Sequence, residues 1–307
     1  MTTTVATHGI YQSVLNFALN VQQRLATTTV QESSGLVSTQ AAGLGTSSAR
    51  LLNLQGELSS AERWSANASL AGDRVQVMYS AVGNMVDLAS SLKSAIAAAM
   101  SGTDTGTTAD TLRTAAQDAL DDLADQMNVQ LGGRYLFSGS DTDIAPVDLT
   151  DYPSTTPPSA TTADTGYYQG DDQLAAISVS AETRITYGVA GSAGAFETVL
   201  RAAALAASAS SSDPVDSDAL SSAYDLVTTA ISKLSALQEG LSNTAGRLTE
   251  AKASQDSFSD YLKTMVSDIK NVDAAETMTR VTELQTQLEA SYSAVSAILK
   301  LRLTDYL

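Results

Sequence analysis

The sequence predicts a mainly α-helical, elongated protein, in which N- and C-terminal segments form an antiparallel coiled-coil or helical-bundle rod and a small β-rich domain lies mid-chain. Two long runs of apolar residues at heptad spacing predict the helices of the rod. All five prolines lie between residues 146 and 214, so neither run contains this helix breaker. Between the runs, apolar and polar residues alternate over short stretches, which is typical of β-strands.

The first heptad run extends from residue 54 to residue 99. Its seam positions are Leu54, Ala61, Ala68, Val75, Val82, Ala89 and Ile96. Its companion positions are Trp64, Ala71, Met78, Met85, Leu92 and Ala99, and Glu57 is a polar exception. A strict period of 3.5 residues keeps one apolar stripe facing a partner helix, so the run predicts a long coiled-coil helix.

The second heptad run extends from residue 220 to residue 272. Its seam positions are Leu220, Val227, Leu234, Leu241, Leu248, Leu262 and Ile269, interrupted by Gln255. Its companion positions are Ala223, Ala230, Leu237, Ala251, Phe258, Met265 and Val272, interrupted by Thr244. Glycine is unfavourable inside a helix, so Gly240 and Gly246 indicate either a bend or close helix approach, or tolerated glycines.

Breaks in these patterns predict the domain boundaries. Glycines and capping residues at 100–110 end the first long helix, and a shorter helix then ends at Gly132 and Gly133. We expect three domains: a terminal helical domain of 1–45 with 272–307, a helical rod domain of 46–133 with 196–271, and an outer β-rich domain of 134–195.

Both ends of the chain carry an apolar helical stripe. The N-terminal stripe is Ile10, Val14, Phe17, Val21 and Leu25, and the C-terminal stripe is Val281, Leu284, Leu288, Tyr292, Val295, Leu299, Leu303 and Tyr306. The C-terminal spacing follows an 11-residue period, which predicts a straight or slightly right-handed seam. Because exposed apolar surface marks interfaces, we interpret these residues as contacts between subunits. The alternative is that the two ends pair only with each other.

Composition excludes several function classes. The chain has 17 basic and 34 acidic residues, and its net charge of −17 disfavours binding to nucleic acid or to an anionic membrane. One histidine and no cysteine exclude thiol chemistry and a His-rich metal site. Residues 100–172 contain thirteen aspartates and two arginines, whereas residues 1–40 contain only Arg24 and Glu32 as charged side chains. We expect no enzymatic activity, no metal and no cofactor.

Two features resemble ligand sites only superficially. His8 has no carboxylate or cysteine cluster around it, so we interpret it as an exposed or packing residue. Asp118, Asp121, Asp122 and Asp125 share one helix face, which is more typical of a solvated face than of a cation site.

Three segments, in order along the chain, resemble one protein family. They are GGRYLFSGSDTD (132–143), GYYQGDD (166–172) and NVDAAETMTRVTELQTQLEASYSAVSAILKLRLTDYL (271–307). Together they resemble the hook–filament junction proteins, the hook-associated protein 3 family of the flagellin superfamily. The residues that match this family best in the last segment are Asp273, Glu276, Leu288, Glu289, Ala290, Tyr292, Leu303 and Leu307. The family's acidic SDDP-like turn is missing, since residues 38–46 read STQAAGLGT.

This resemblance implies a structural subunit of the bacterial flagellum whose terminal helices pack with neighbouring axial subunits. The partners it implies are copies of the chain in a ring, hook-associated protein 1 on the hook side, flagellin on the filament side, and a flagellar type III export chaperone before secretion. It also implies an extracellular location, reached without a cleaved signal peptide. The alternatives are a divergent flagellin that forms the filament itself and a type III-secreted coiled-coil translocator or effector.

Overall fold

The computed structural model describes residues 2–102, 106–212 and 215–304. Within these ranges the chain forms six α-helices, one 3₁₀ turn and four short strands. The helices are α1 (Thr2–Ser34), α2 (Ser47–Ser101), α3 (Gly106–Met127), α4 (Gly194–Ser210), α5 (Ser217–Lys270) and α6 (Ala274–Thr304). The strands are β1 (Gln130–Leu131), β2 (Arg134–Tyr135), β3 (Ala175–Ser178) and β4 (Arg184–Tyr187). The predicted class, mainly α-helical with a small mid-chain β region, is confirmed.

Contacts between residues divide the chain into two compact units. The terminal unit contains the described residues of Met1–Ser60 and Phe258–Leu307, and the central unit contains those of Ala61–Ser257. The division into three domains expected from the sequence stays a prediction.

In the central unit, α2 and α5 bury the predicted heptad stripes. The six seam positions from Ala61 to Ile96 are at most 1% exposed, and the five from Leu220 to Leu248 are at most 4% exposed. The Ser65 hydroxyl donates to the Asp256 carboxylate, and the Lys93 amine lies 5.1 Å from the ring centre of Tyr224. Higher numbers on α2 therefore meet lower numbers on α5, so the two helices are antiparallel.

The glycines of α5 do not mark a close helix approach. Apart from the neighbouring backbone of α5 itself, no atom of the described residues lies within 4 Å of the position that a Cβ would occupy at Gly240 or Gly246. The close approach is at Gly83 of α2 instead, where a Cβ would lie 2.9 Å from Nε2 of Gln238. Of the alternatives for the two α5 glycines, a close helix approach is therefore wrong, and a bend or tolerated glycines stay open.

Helix α4 lies within the core of the central unit. Fourteen of its 17 residues are buried, because small and apolar side chains occupy nearly all of its faces. Its one ion pair joins Glu197 Oε1 to Arg201 Nε at 2.6 Å, and Arg201 also donates to the Ala160 carbonyl oxygen at 2.6 Å. The amide of Asp164 donates to the same Glu197 oxygen at 3.1 Å. Buried charges are tolerated only when their hydrogen bonds are satisfied, and the backbone of residues 160–164 supplies these bonds. The ion pair therefore holds that loop against α4.

Two short hairpins complete the central unit. Strand β1 pairs with β2 and strand β3 pairs with β4, both antiparallel. The Arg74 guanidinium of α2 donates to the Tyr187 hydroxyl of β4 at 2.8 Å, which joins the second hairpin to the long helix. Beneath the hairpins, the rings of Phe137 and Phe196 meet edge to face with centres 5.4 Å apart.

The two mid-chain segments that carry the family resemblance lie against each other. The amide of Asp171 donates to the Ser138 carbonyl oxygen at 3.1 Å, and the Asp171 carboxylate accepts from the amide of Ser140 at 2.8 Å. The hydroxyl of Ser140 also donates to this carboxylate, and this bond is the main reason that the pKa of Asp171 lies below its ordinary value. Segments 132–143 and 166–172 thus form one folded element.

Gly139 is the backbone position that this contact requires. Its φ is +76°, and a Cβ there would lie 2.1 Å from the Asp171 carbonyl oxygen. We expect Gly139→Ala to lower the free energy of unfolding by at least about 1–3 kcal/mol, the usual cost of such backbone strain. The measurement is urea unfolding of the purified chain, followed by the fluorescence of Trp64, the chain's single tryptophan.

The matched control is Gly246→Ala, which adds the same methyl group at an exposed helical position with free space around it. This change should raise the free energy of unfolding by about 1 kcal/mol, because alanine is the better helix former. Equal effects of the two substitutions would contradict the role assigned to Gly139.

Candidate subunit interface

In the terminal unit, a short backbone pairing holds α1 and α6 side by side. The amide of Val37 donates to the Lys270 carbonyl oxygen at 2.8 Å, and the amide of Val272 donates to the Gly35 carbonyl oxygen at 3.0 Å. This antiparallel bridge joins the end of α1 to the start of α6. The two helices therefore run antiparallel and pack along their lengths.

The turn after α1 forms without the acidic residues of the family pattern. A 3₁₀ turn spans Ala41–Leu44, and the Ser38 hydroxyl accepts from the amide of Gln40 at 3.1 Å. A Cβ at Gly43 would lie 2.1 Å from the Ser38 hydroxyl oxygen. A serine and a glycine thus shape the turn in this chain.

Asp273 caps the N-terminus of α6. Its carboxylate oxygen Oδ1 accepts from the amides of Ala275 at 2.8 Å and Glu276 at 3.1 Å. Glu276 in turn pairs with Arg280 at 2.7 Å, one helical turn later. Two of the residues that match the family pattern therefore define where α6 begins.

The seam between α1 and α6 is one stripe wide. The inward positions on α1 are Val14, Ala18, Val21, Leu25 and Thr28, and those on α6 are Thr277, Val281, Leu284, Leu288, Ser291, Val295 and Ile298. Ala18, Val21 and Leu284 are at most 3% exposed. The α6 positions are spaced alternately by four and three residues, which is the heptad spacing of a coiled coil.

This spacing corrects the 11-residue period expected for α6. Ser291 is 6% exposed and lies in the seam, whereas the neighbouring Tyr292 is 53% exposed. A two-helix contact favours a small residue where the backbones approach, so the bulky ring turns outward. The prediction that Tyr292 continues the seam is wrong for the described residues.

The predicted interface residues divide into two groups. Seven lie in the seam within the chain: Val14, Val21, Leu25, Val281, Leu284, Leu288 and Val295. Three remain in water, at 53–56% exposure: Ile10, Phe17 and Tyr292. Tyr306 and the side chains of Leu299, Leu303 and His8 lie outside the described residues.

Pairing of α1 with α6 leaves further apolar surface that the two predicted stripes do not include. Leu19 and Val30 on α1 are 52% and 54% exposed, and Met278 on α6 is 63% exposed. Leu19 and Val30 are eleven residues apart and so share a face of α1 away from the seam. The eleven-residue spacing of Leu19 and Val30 is the sequence signal for this second apolar face, but neither residue belongs to the predicted N-terminal stripe.

Exposed apolar side chains are concentrated in the terminal unit. Of the thirteen large apolar residues that are exposed in the described part of the chain, nine belong to this unit. Helix α1 carries only Arg24 and Glu32 as charged residues. A neutral surface with many exposed apolar groups is suited to burial against other protein rather than to contact with water.

Five hydroxyl side chains of α6 donate to backbone carbonyl oxygens four residues earlier in the chain. In the seam, Thr277 and Ser291 form such bonds at 2.7 Å. On the exposed faces the same bonds, at 2.9–3.0 Å, are made by Thr279, Thr282 and Thr286. The hydroxyl donors of these residues are thus satisfied inside the helix.

The aspartates that the sequence offers as a candidate cation site lie on the surface of α3. Asp118, Asp121, Asp122 and Asp125 are all exposed on α3. Among the described residues, no group of three or more acidic, histidine or cysteine side chains is placed to hold a metal ion. The described helices also include none that is long and apolar enough to cross a membrane.

Both terminal helices lie in regions that match known protein families. The family model for the bacterial flagellin N-terminal helical region matches residues 5–142, and that for the bacterial flagellin C-terminal helical region matches residues 224–307. The chain belongs to the flagellin superfamily. The two matched regions of this flagellin-superfamily chain together cover more than two thirds of its length. No curated protein matches the sequence significantly.

Several solved structures are similar in fold. A flagellar hook-associated protein 3 from Legionella pneumophila aligns with a TM-score of 0.55 and 13% identity, over 70% of this chain and 98% of that one. FlgL of Xanthomonas campestris aligns with a TM-score of 0.54 and 14% identity, over 69% and 98%. FlgL of Bacillus cereus aligns with a TM-score of 0.50 and 13% identity, over 72% and 98%.

Removal of the α6 cap provides a test of this geometry. We expect Asp273→Ala to speed amide hydrogen exchange at Ala275 and Glu276 about fivefold, because a lost N-cap costs about 1 kcal/mol. Asp273→Asn keeps a capping oxygen and should leave exchange within about twofold of the original rate. Unchanged exchange in Asp273→Ala would contradict the assignment of the cap.

Proposed function

We propose that this flagellin-superfamily chain is a structural subunit of the bacterial flagellum that joins the hook side to the filament. Its terminal helices pack with those of neighbouring axial subunits. The observation that carries this proposal is the apolar surface that α1 and α6 retain after pairing with each other, at Ile10, Phe17 and Tyr292 among others. This surface has no partner within the described chain, and assembly provides one.

The driving force for assembly is burial of these side chains. A fully buried large apolar side chain contributes about 1.5–3 kcal/mol. Six such residues on α1 and α6 are more than half exposed: Ile10, Phe17, Leu19, Val30, Met278 and Tyr292. Their burial against neighbours is therefore worth on the order of 10 kcal/mol, before the entropy of ordering is subtracted. Because these residues lie on several sides of the helix pair, full burial requires more than one neighbour.

The central unit has the opposite surface character. Residues 100–172 carry thirteen aspartates and two arginines, and this charge keeps the surface solvated. Mutual repulsion between such surfaces opposes their close contact, whereas the nearly uncharged α1 meets no such barrier. Assembly through the terminal helices therefore follows from the distribution of charge as well as from that of apolar groups.

The proposed partners are those that the family resemblance implies. They are copies of the chain in a ring, hook-associated protein 1 on the hook side, flagellin on the filament side and a type III export chaperone before secretion. The fold shared with solved hook-associated proteins supports the junction position, and the proposed location is outside the cell, in the flagellum. The filament-forming alternative differs in copy number, with a handful of copies per flagellum for a junction subunit and thousands for a filament subunit.

Outward-facing substitutions separate contacts between subunits from contacts within the chain. We expect Phe17→Asp and Tyr292→Asp to abolish filament attachment in cells that lack the native gene and express only the variant. Each substitution places a charge in a surface that neighbouring subunits must bury. The measurement is electron microscopy of the cells, which should show hooks without filaments and flagellin released into the medium.

Gln22→Asp is the matched control, since it places the same charge at an exposed polar position of α1. Cells with this variant should carry normal filaments. The urea unfolding of the central unit, followed by Trp64 fluorescence, should be the same in all three variants. Normal filaments with Phe17→Asp and Tyr292→Asp would refute the assigned interface. Thousands of copies in sheared filaments, counted by mass spectrometry, would instead identify a filament subunit.

A further inference from the structure

The central unit contains a groove beside strand β3 that the proposed function does not use. The groove has a volume of about 380 Å³ and is bordered by segments from α2, β2 and β3. Its lining includes Arg74, Met78, Arg134, Leu174, Ala176 and Tyr187, and we call it the arginine groove.

The charge of the arginine groove is opposite to that of the chain. Its lining includes two arginines and no carboxylate, although the chain carries a net charge of −17. Within the described part of the chain, neither Arg74 nor Arg134 forms an ion pair. Arg74 donates to the neutral Tyr187 hydroxyl, which orients its guanidinium but does not neutralise it. Two unpaired guanidinium groups are suited to carboxylate ligands, which they can bind in a bidentate manner.

Strand β3 offers an open edge next to these arginines. Among the described residues it pairs only with β4, and the backbone of Ala175–Ser178 forms no hydrogen bond on its other side. Leu174, at the start of β3, is 44% exposed. An open strand edge binds extended peptides through backbone hydrogen bonds, and neighbouring side chains determine which peptides bind.

We propose that the arginine groove binds an extended, acidic peptide segment of a partner protein, which adds to β3 and pairs its carboxylates with Arg74 and Arg134. Apolar side chains of the same segment pack on the exposed Leu174. A second copy of this chain fits less well, because its loop of residues 146–152, which carries Asp148 and Asp151, is fixed in its fold. In that loop the amide of Val147 donates to the Asn128 side chain at 3.0 Å, and the amide of Asp148 donates to the Tyr167 carbonyl oxygen at 2.9 Å.

The test uses the purified full chain and two labelled eight-residue peptides. One peptide alternates aspartate with valine, and the other alternates lysine with valine. We expect the aspartate peptide to bind at least tenfold more tightly, measured by fluorescence anisotropy, and its binding to weaken as salt is added. Alternate amides of Ala175–Ser178 already bond to β4, and hydrogen exchange should show that the remaining amides, which face the open edge, become protected only when the aspartate peptide is present.

Substitutions locate the binding to this groove. Arg134→Glu should weaken binding at least fivefold, and Arg74→Gln, which keeps a donor for Tyr187, should weaken it about threefold. The matched control is Arg247→Glu, which makes the same charge change at an exposed position of α5 outside the groove and should leave affinity within twofold. The fluorescence of Trp64 and the helical circular dichroism verify that each variant is folded.

Three results would overturn the proposal. One is equal binding of the two peptides, and another is binding without protection of β3. The third is concentration-dependent self-association of the chain that Arg134→Glu abolishes, since this would assign the groove to a second copy. Each result leaves the terminal-helix interface untouched, because the groove residues lie in the central unit and the assembly test concerns α1 and α6.

Discussion

Two helices that pack only against each other can each bury a single stripe of side chains, and the terminal unit is governed by this limit. The α1–α6 seam uses small and medium residues, with Val21 and Leu284 at its centre. Larger residues such as Phe17 and Tyr292 are left outside it. The proposed interface with other subunits is therefore a consequence of the pairing inside the chain, because the pairing determines which apolar residues remain available.

The central unit escapes this limit because it has more layers. Helix α4 is covered on nearly every side, and even its charged pair Glu197–Arg201 is buried with satisfied hydrogen bonds. Both units are rich in alanine, leucine, serine and threonine, yet the central unit forms a buried core and the terminal unit leaves apolar side chains exposed. Charge reinforces the difference, since the aspartates are concentrated in the central unit.

The heptad runs were predictable from sequence because a strict 3.5-residue period leaves one answer for the buried stripe. All predicted seam positions between Ala61 and Ile96 are buried. The C-terminal stripe was harder, because apolar bulk favoured Tyr292 while close packing of two backbones favoured Ser291. Apolar character alone also could not separate residues that pair within the chain from those left for neighbours. The contact of Gly139 with Asp171 was hidden as well, since it joins segments separated by a loop whose path no local pattern reveals.

The hydroxyl-rich faces of α6 have a consequence for how the helix is read. Threonines such as Thr279 and Thr286 are classed as hydrophilic from the sequence, yet each hydroxyl donates its one hydrogen bond to a backbone carbonyl of the same helix. A neighbouring protein would contact only the methyl group of each threonine and a hydroxyl oxygen whose hydrogen is already bonded. A partner can therefore cover these threonines without leaving their hydroxyl hydrogens unpaired, and hydropathy scales overstate the cost of removing them from water.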